Sequence, residues 1–422
     1  MKSEVITIGD EILYGHILDT NARFISQSLA EAGIPAAYLT SCGDSLSAIQ
    51  KCLAIALKRA EVIVVTGGLG PTHDDVTREA VAGFYRKKLV FHSPTFKRIQ
   101  RQFRARKITL TPSNRRQAYI PQGANALKNT VGNAAGFIIK KGRSICAVMP
   151  GVPREMKVMT QKGLLPYLKK ISKGETITHH TIRTFGIGES SLFEKISKLK
   201  VPQSVSVAYL PRYTGVDVRL TVSINRYRRL LQKVRREVSS LIKEYIYGKN
   251  QETLEQIIGT ILKKKGQTLA IAESCTGGLI GDRITSVPGS SRYFKLGVVA
   301  YSNQAKSAIL GVPQSTLQKY GAVSEETALA MAQGVKKAAR AGIGIATTGI
   351  AGPGGASKGK PVGMVCIGLS LPRGKQITGT YYSRGNRNIN KTRFAQAALF
   401  GLFQQLKGGT GGYSIFRQPG SK

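Results

Sequence analysis

Apolar residues recur along the chain in two alternating rhythms. In EVITIGDEIL near the start and VIVVTGGLGPTHDD at 62–75, nearly every early position is apolar, and the run then ends in a polar, glycine-rich turn. Residues 21–32, 47–59 and 77–85 instead space apolar side chains three and four apart. The first rhythm is that of a strand buried on both faces, the second that of a helix with one apolar stripe. Their alternation predicts a parallel sheet covered by helices. Ligands of such sheets bind beyond the carboxyl ends of the strands, where the loops at 9–15 and 66–75 fall.

The rhythm changes at about residue 172. THHTIRTFGIGES and VSVAYLPRYTGVDVRLTVSINR read as strands separated by turns, and a charged helical stretch follows at 227–247. From residue 267 the alternation returns: TLAIAES, FKLGVVAYS, AGIGIATTGIAGPGG, VGMVCIGLS and ITGTYYSRG are strand-like, with helical stretches at 276–285, 325–341 and 390–406. The expected class is α/β: two α/β domains with mostly parallel sheets, at 1–171 and 250–407, joined by a small α+β connector at 172–249. A glycine-rich tail, 408–422, is expected to be disordered.

Composition adds limits. At 422 residues and 41% hydrophobic content, the chain is too long for one ordinary core. No apolar stretch is long enough to cross a bilayer, and the first residues lack a secretory pattern, so a cytoplasmic protein is expected. Five scattered cysteines form no CxxC pair, which argues against a disulfide framework or a zinc site. Against 23 acids stand 63 Lys and Arg, a formal charge of +40. The basic clusters at 97–107 and 227–236 carry apolar residues at helical spacing and read as solvated helix faces. Nucleic-acid binding is therefore expected to be weak and non-specific at most.

In a chain so short of acids, those beside glycine-rich turns stand out. Gly67, Gly68 and Gly70 let the backbone turn tightly or approach a phosphate, and Thr72 adds a hydroxyl. Asp74 and Asp75 precede a helix, where a carboxylate is favoured simply as a cap. Together with Asp10 and Glu11 on another strand end, they are also candidates for a divalent metal held through oxygen ligands. The turn MPGVPREM adds Gly151 and Glu155, either as a strand-to-helix connection with a capping acid or as a wall of the same pocket.

The second constellation starts at AESCTGGLIG. Ser274, Cys275 and Thr276 stand between a strand and the pair Gly277–Gly278. One hydroxyl there is explained as a helix cap; three nucleophile-type side chains suggest a site, with the following N–H groups available to an oxyanion or phosphate. All five histidines precede this domain. A base must then be a lysine or tyrosine, and a buried lysine with a lowered pKa can serve. The segment YSNQAK offers Tyr301, Ser302, Asn303 and Lys306. ATTGIAGPGG adds Thr348, Gly349, Gly352 and Gly354 on a loop suited to phosphate or ribose, with Arg387 or Lys391 as the balancing cation.

GDEIL-G-ILDTN, TGGLGPTHDDVTRE and MPGVPREM together resemble the molybdopterin-binding-like domain of the CinA family. AESCTGG, TGIAGPGG and GKPVGMV resemble that family's C-terminal domain, also found alone as nicotinamide mononucleotide amidohydrolase. The resemblance covers essentially the whole chain apart from the tail, with departures at Asn133, Ala135 and Lys391. It implies a KH-like connector, a homodimer, and hydrolysis of nicotinamide mononucleotide without a cofactor. In that reaction Ser274 would be the nucleophile, and Lys306 and Tyr301 would handle protons. Thr276, Thr348 and Arg387 would orient the nucleotide, while Cys275 stays an inert thiol. For the N-terminal domain it implies a metal-dependent ADP-ribose pyrophosphatase, with the metal drawn from Asp10, Glu11, Asp74, Asp75 and Glu155. The rival is a competence or DNA-damage accessory that binds nucleic acid through its basic surface.

Overall fold

The computed structural model describes residues 1–171, 177–223 and 225–408; of the predicted tail, 409–422 lie outside the described residues. The chain divides into two compact units, Met1–His179 with Val222–Arg228, and His180–Thr221 with Arg229 onward. Among the described residues no helix is long and apolar enough to cross a membrane.

The first unit is built on a six-stranded sheet. Its spatial order is Ala36–Cys42, Ser3–Ile8, Val62–Thr66, Ser144–Met149, Gly136–Lys141, Asn125–Leu127. The first four strands are parallel, and the last two run antiparallel to their neighbours. The unbroken apolar runs are explained by two cores. Ile6, Ile63 and Val65 point into one; Val5, Val62 and Val64, their neighbours along the strands, point into the other.

The second unit holds a five-stranded sheet in the order Phe294–Val299, Leu269–Glu273, Ile343–Gly349, Met364–Ser370, Gln376–Tyr382. Its first three strands are parallel and its last two antiparallel. After Leu269–Glu273 the chain goes first to the neighbour on one side and later to the neighbour on the other. The carboxyl end of that strand is thus a switch point, where an open α/β sheet leaves a crevice. Ser3–Ile8 holds the same position in the first sheet.

The segment that joins the α/β parts along the chain forms a four-stranded sheet in the order Ser206–Arg212, Gly215–Val222, Thr178–Thr184, Ile246–Lys249. Most of it packs with the C-terminal part. Phe185 contributes to the C-terminal core, with its ring 5.4 Å from Phe400 and 5.8 Å from Tyr381, and buried Tyr247 joins the same core. The change of rhythm near residue 250 is therefore not a break in packing.

Candidate active site

The strand Leu269–Glu273 is wholly buried and delivers Ser274 to the switch point. Ser274 donates its N–H to Thr347 O at 3.0 Å, which ties the turn to the adjacent strand. The chain then reverses through Gly277 and Gly278, at φ 61° and 93°, a conformation that a side chain would strain. The helix Leu279–Thr285 follows.

The N–H groups after the turn are not open to a ligand. Glu273 is 2% exposed, and its carboxylate accepts from Gly278 N at 2.9 Å, Ile280 N at 3.1 Å and Gly281 N at 2.8 Å. Gly277 N donates to Ser274 O at 3.1 Å. The expectation of an oxyanion or phosphate cradle at Gly277 and Gly278 is corrected here: in a chain with few acids, an internal carboxylate already fills the helix start. Thr276 is corrected too. It is fully buried, and its Oγ1 lies 2.8 Å from Thr347 Oγ1, away from the pocket.

Lys306 lies on the helix Asn303–Leu310, beside the carboxyl end of Phe294–Val299. Ser302 caps that helix by accepting from Ala305 N at 3.0 Å, so its role is to start the helix rather than to line the pocket. The Lys306 side chain is 2% exposed, and its Nζ lies 3.2 Å from Ser274 Oγ, Ala300 O and Tyr301 O. Burial lowers its pKa from the ordinary lysine value; the nearby Cys275 sulfur acts weakly the other way. An ammonium donates to all three of these oxygens. A neutral amine donates to the two carbonyls and turns its lone pair to the Ser274 hydroxyl, so the same three partners serve both forms.

Ser274 and Lys306 open onto a pocket of about 260 Å³. Its lining also includes Tyr301, Asn303, Thr348, Gly349, Gly352, Gly354 and Arg387. Ala322 and Val323 also line it; they belong to no polar motif, so their sequence gave no signal. Thr348 is held by donating its hydroxyl to Ala322 O at 2.6 Å. Arg387 donates to Gly352 O at 2.6 Å and to the Tyr301 phenol oxygen at 2.8 Å. Tyr301, 60% exposed, is thus paired with the rim arginine, whereas Lys306 is paired with Ser274. Cys275 also borders the pocket, but burial pushes its thiol up to about 12.

In the N-terminal unit, Gly67 donates its N–H to Met149 O at 3.1 Å, and Asn21 Nδ2 donates to Gly151 O at 2.6 Å. These bonds bring the loops bearing Gly67, Gly68 and Gly70 and the turn at Gly151 to one strand-end crevice. Asp75 staples its own loop, accepting from Gly70 N at 2.7 Å and Thr72 N at 2.8 Å, and from the Thr72 hydroxyl. Glu155 accepts from Asn129 Nδ2 and packs against Gly132, where a Cβ would lie 1.9 Å from its carboxyl carbon. Asp10 faces Asp44, an acid the motifs did not single out: Asp10 N donates to Asp44 Oδ2 at 3.1 Å. Burial raises the Asp44 pKa; the Asp10 N–H works against that, while the charges of Asp10, Glu11 and Asp75 add to it. Asp74 is exposed. Among the described residues no three carboxylates, histidines or cysteines converge on a point that could hold a metal ion. The set Asp10, Glu11, Asp74, Asp75 and Glu155 therefore does not fit a preformed metal centre, because Asp75 and Glu155 are spent on local hydrogen bonds.

Residues 251–406 match the family model "CinA C-terminal domain", 179–248 match "Damage-inducible protein CinA KH domain", and 4–170 match "Probable molybdopterin binding domain". A Halothermothrix orenii protein whose name refers to competence-damage induction is 42% identical over 96% of this chain and 99% of its own. A "CinA-like protein" of Kosmotoga olearia is 42% identical over 94% of this chain and 97% of its own. A crystal structure of a CinA protein from Thermoplasma acidophilum is 33% identical, covering 40% of this chain and 96% of that one, with a TM-score of 0.36. With such identity along nearly the whole length, the chain belongs to the CinA family.

Proposed function

We infer that the C-terminal pocket hydrolyses the carboxamide of nicotinamide mononucleotide, giving nicotinate mononucleotide and ammonia. The observation that carries this reading is the placement of a buried amine, Lys306 Nζ, 3.2 Å from Ser274 Oγ. The unprotonated amine takes the Ser274 proton as Oγ attacks the carboxamide carbon. The resulting ammonium returns a proton to the departing nitrogen, and ammonia leaves from an ester on Ser274. Lys306 then takes a proton from water, whose oxygen attacks the ester carbon; the ammonium returns that proton to Ser274 Oγ as the ester bond breaks, and the released acid ionises to the carboxylate. Arg387 is placed to meet the phosphate from the rim.

The test is ammonia release from nicotinamide mononucleotide by the wild type and by Ser274→Ala. Loss of release in the variant supports the reading; equal release in both, or none in either, refutes it. In the N-terminal unit the described acids form no cage that would hold a metal for ADP-ribose hydrolysis.

A further inference from the structure

A second cavity of this unit lies away from Ser274. It opens between the connector and the C-terminal part, has a volume of about 590 Å³, and shares no lining residue with the deamidase pocket. Its walls come from the strands Thr178–Thr184 and Ile246–Lys249, the helices Arg228–Leu241 and Leu254–Lys264, and Lys407 just past the last helix. Its apolar lining includes Ile182, Ile257 and Ile261.

Its charged lining is strongly cationic. Arg235, Lys243, Lys249 and Lys407 line the cavity against a single acid, Glu252. Among the described residues, none of the four cations is in a salt bridge. Arg235 Nε is shielded from solvent and has no hydrogen-bond partner. A sequestered guanidinium N–H left unpaired is costly, and here it sits beside an uncompensated positive field.

We propose that this cavity is a second small-molecule site, for a nucleotide-class ligand: a planar ring on the isoleucine wall and one or two phosphates among Arg235, Lys243, Lys249 and Lys407. Guanidinium and ammonium groups are the side chains that bind phosphate. Four cations against one carboxylate leave a charge that a diphosphate offsets, and the volume is within the range of ligand pockets. His180 fits this arrangement: burial, with Arg235 and Lys249 adding to it, lowers its pKa to about 4, so it is a neutral donor and acceptor on the wall. The sequence at 409–422 contains Arg417 and Lys422 but no acid, so it lacks the charge to compensate this wall.

The experiment is calorimetric titration of the full-length Ser274→Ala chain with ADP, with nicotinamide mononucleotide present in excess. Lys249→Glu and Lys407→Glu, both on exposed side chains, and Arg235→Gln are compared, with thermal melting to verify folding. The proposal expects ADP binding that weakens at least tenfold in Lys249→Glu and Lys407→Glu at unchanged melting temperature. It also expects pyrophosphate and adenosine, each alone, to bind at least tenfold more weakly than ADP. ADP affinity unchanged in both lysine variants places the ligand elsewhere and overturns the proposal, as does no binding at millimolar ADP. Pyrophosphate binding as tightly as ADP reduces the cavity to an ion trap. A single-stranded oligonucleotide that binds more tightly than ADP, and loses affinity in the same variants, replaces the small ligand with nucleic acid.

Discussion

Lys306 combines burial with contact to Ser274, and its chemistry follows from both. The amine must be unprotonated to accept the serine proton. Burial lowers its pKa below the ordinary 10.5, so deamidation should rise with pH through an apparent pKa under that value and then level off. A profile of kcat/KM against pH checks this; an ascending limb at the unperturbed lysine value would contradict it. Lys306→Ala should cut kcat by about 10²–10⁴-fold, the usual contribution of a positioned base, with KM little changed. Cys275 gives the contrasting case. Its thiol, pushed up to about 12, has almost no thiolate at neutral pH. Cys275→Ala should therefore keep kcat within a few-fold, whereas a drop as deep as that of Ser274→Ala would make sulfur the nucleophile. Tyr301→Phe should raise KM more than it lowers kcat, because its phenol oxygen meets Arg387 rather than Ser274. Steady-state kinetics separate the two outcomes.

At the scale of elements, the Ser274 turn depends on the strand residue before it. Glu273 holds three N–H groups of the turn and the helix after it. Glu273→Ala should destabilise the protein by about 1–3 kcal/mol, the cost of leaving buried donors unpaired, and should lower deamidase activity by misplacing Ser274. Chemical denaturation and the activity assay read the two effects. Glu273 was visible in the sequence as an acid beside a glycine turn, but not its function as a clamp. Which N–H groups a carboxylate meets depends on φ at Gly277 and Gly278, and composition does not fix that. Strand direction shows the same division. The buried runs announce the strands, yet their direction depends on the connections, of which 142–143 and 371–375 are short. Only Gly142 and Arg143 separate Gly136–Lys141 from Ser144–Met149, which leaves no room for the crossover a parallel pair needs. Reading those two residues as a hairpin turn would have found it.

Across the whole molecule, the C-terminal site was more legible than the N-terminal one. Strand-end position and residue type pointed to Ser274, Lys306, Thr348 and Arg387, and the fold brings these into one pocket. The N-terminal acids were equally conspicuous, but a carboxylate bound by its own loop cannot be told by spacing from one free for a ligand. Asp75 and Glu155 are of the first kind. The connector also reads differently in three dimensions, since Phe185 joins the C-terminal core. Phe185→Ala should remove about 3–5 kcal/mol and lower the temperature at which deamidase activity is lost. A thermal inactivation curve that does not move would show the connector to be a separate body.

The main-chain oxygens at 300 and 301 have a consequence for how this protein can change. They aim the amine of Lys306, and every amino acid supplies such an oxygen. The exposed side chain at 301 is thus free to vary without misdirecting the base, whereas that of Ala300 is fully buried in the core. Diversifying the rim to accept other amides should cost affinity for the old substrate well before it costs turnover.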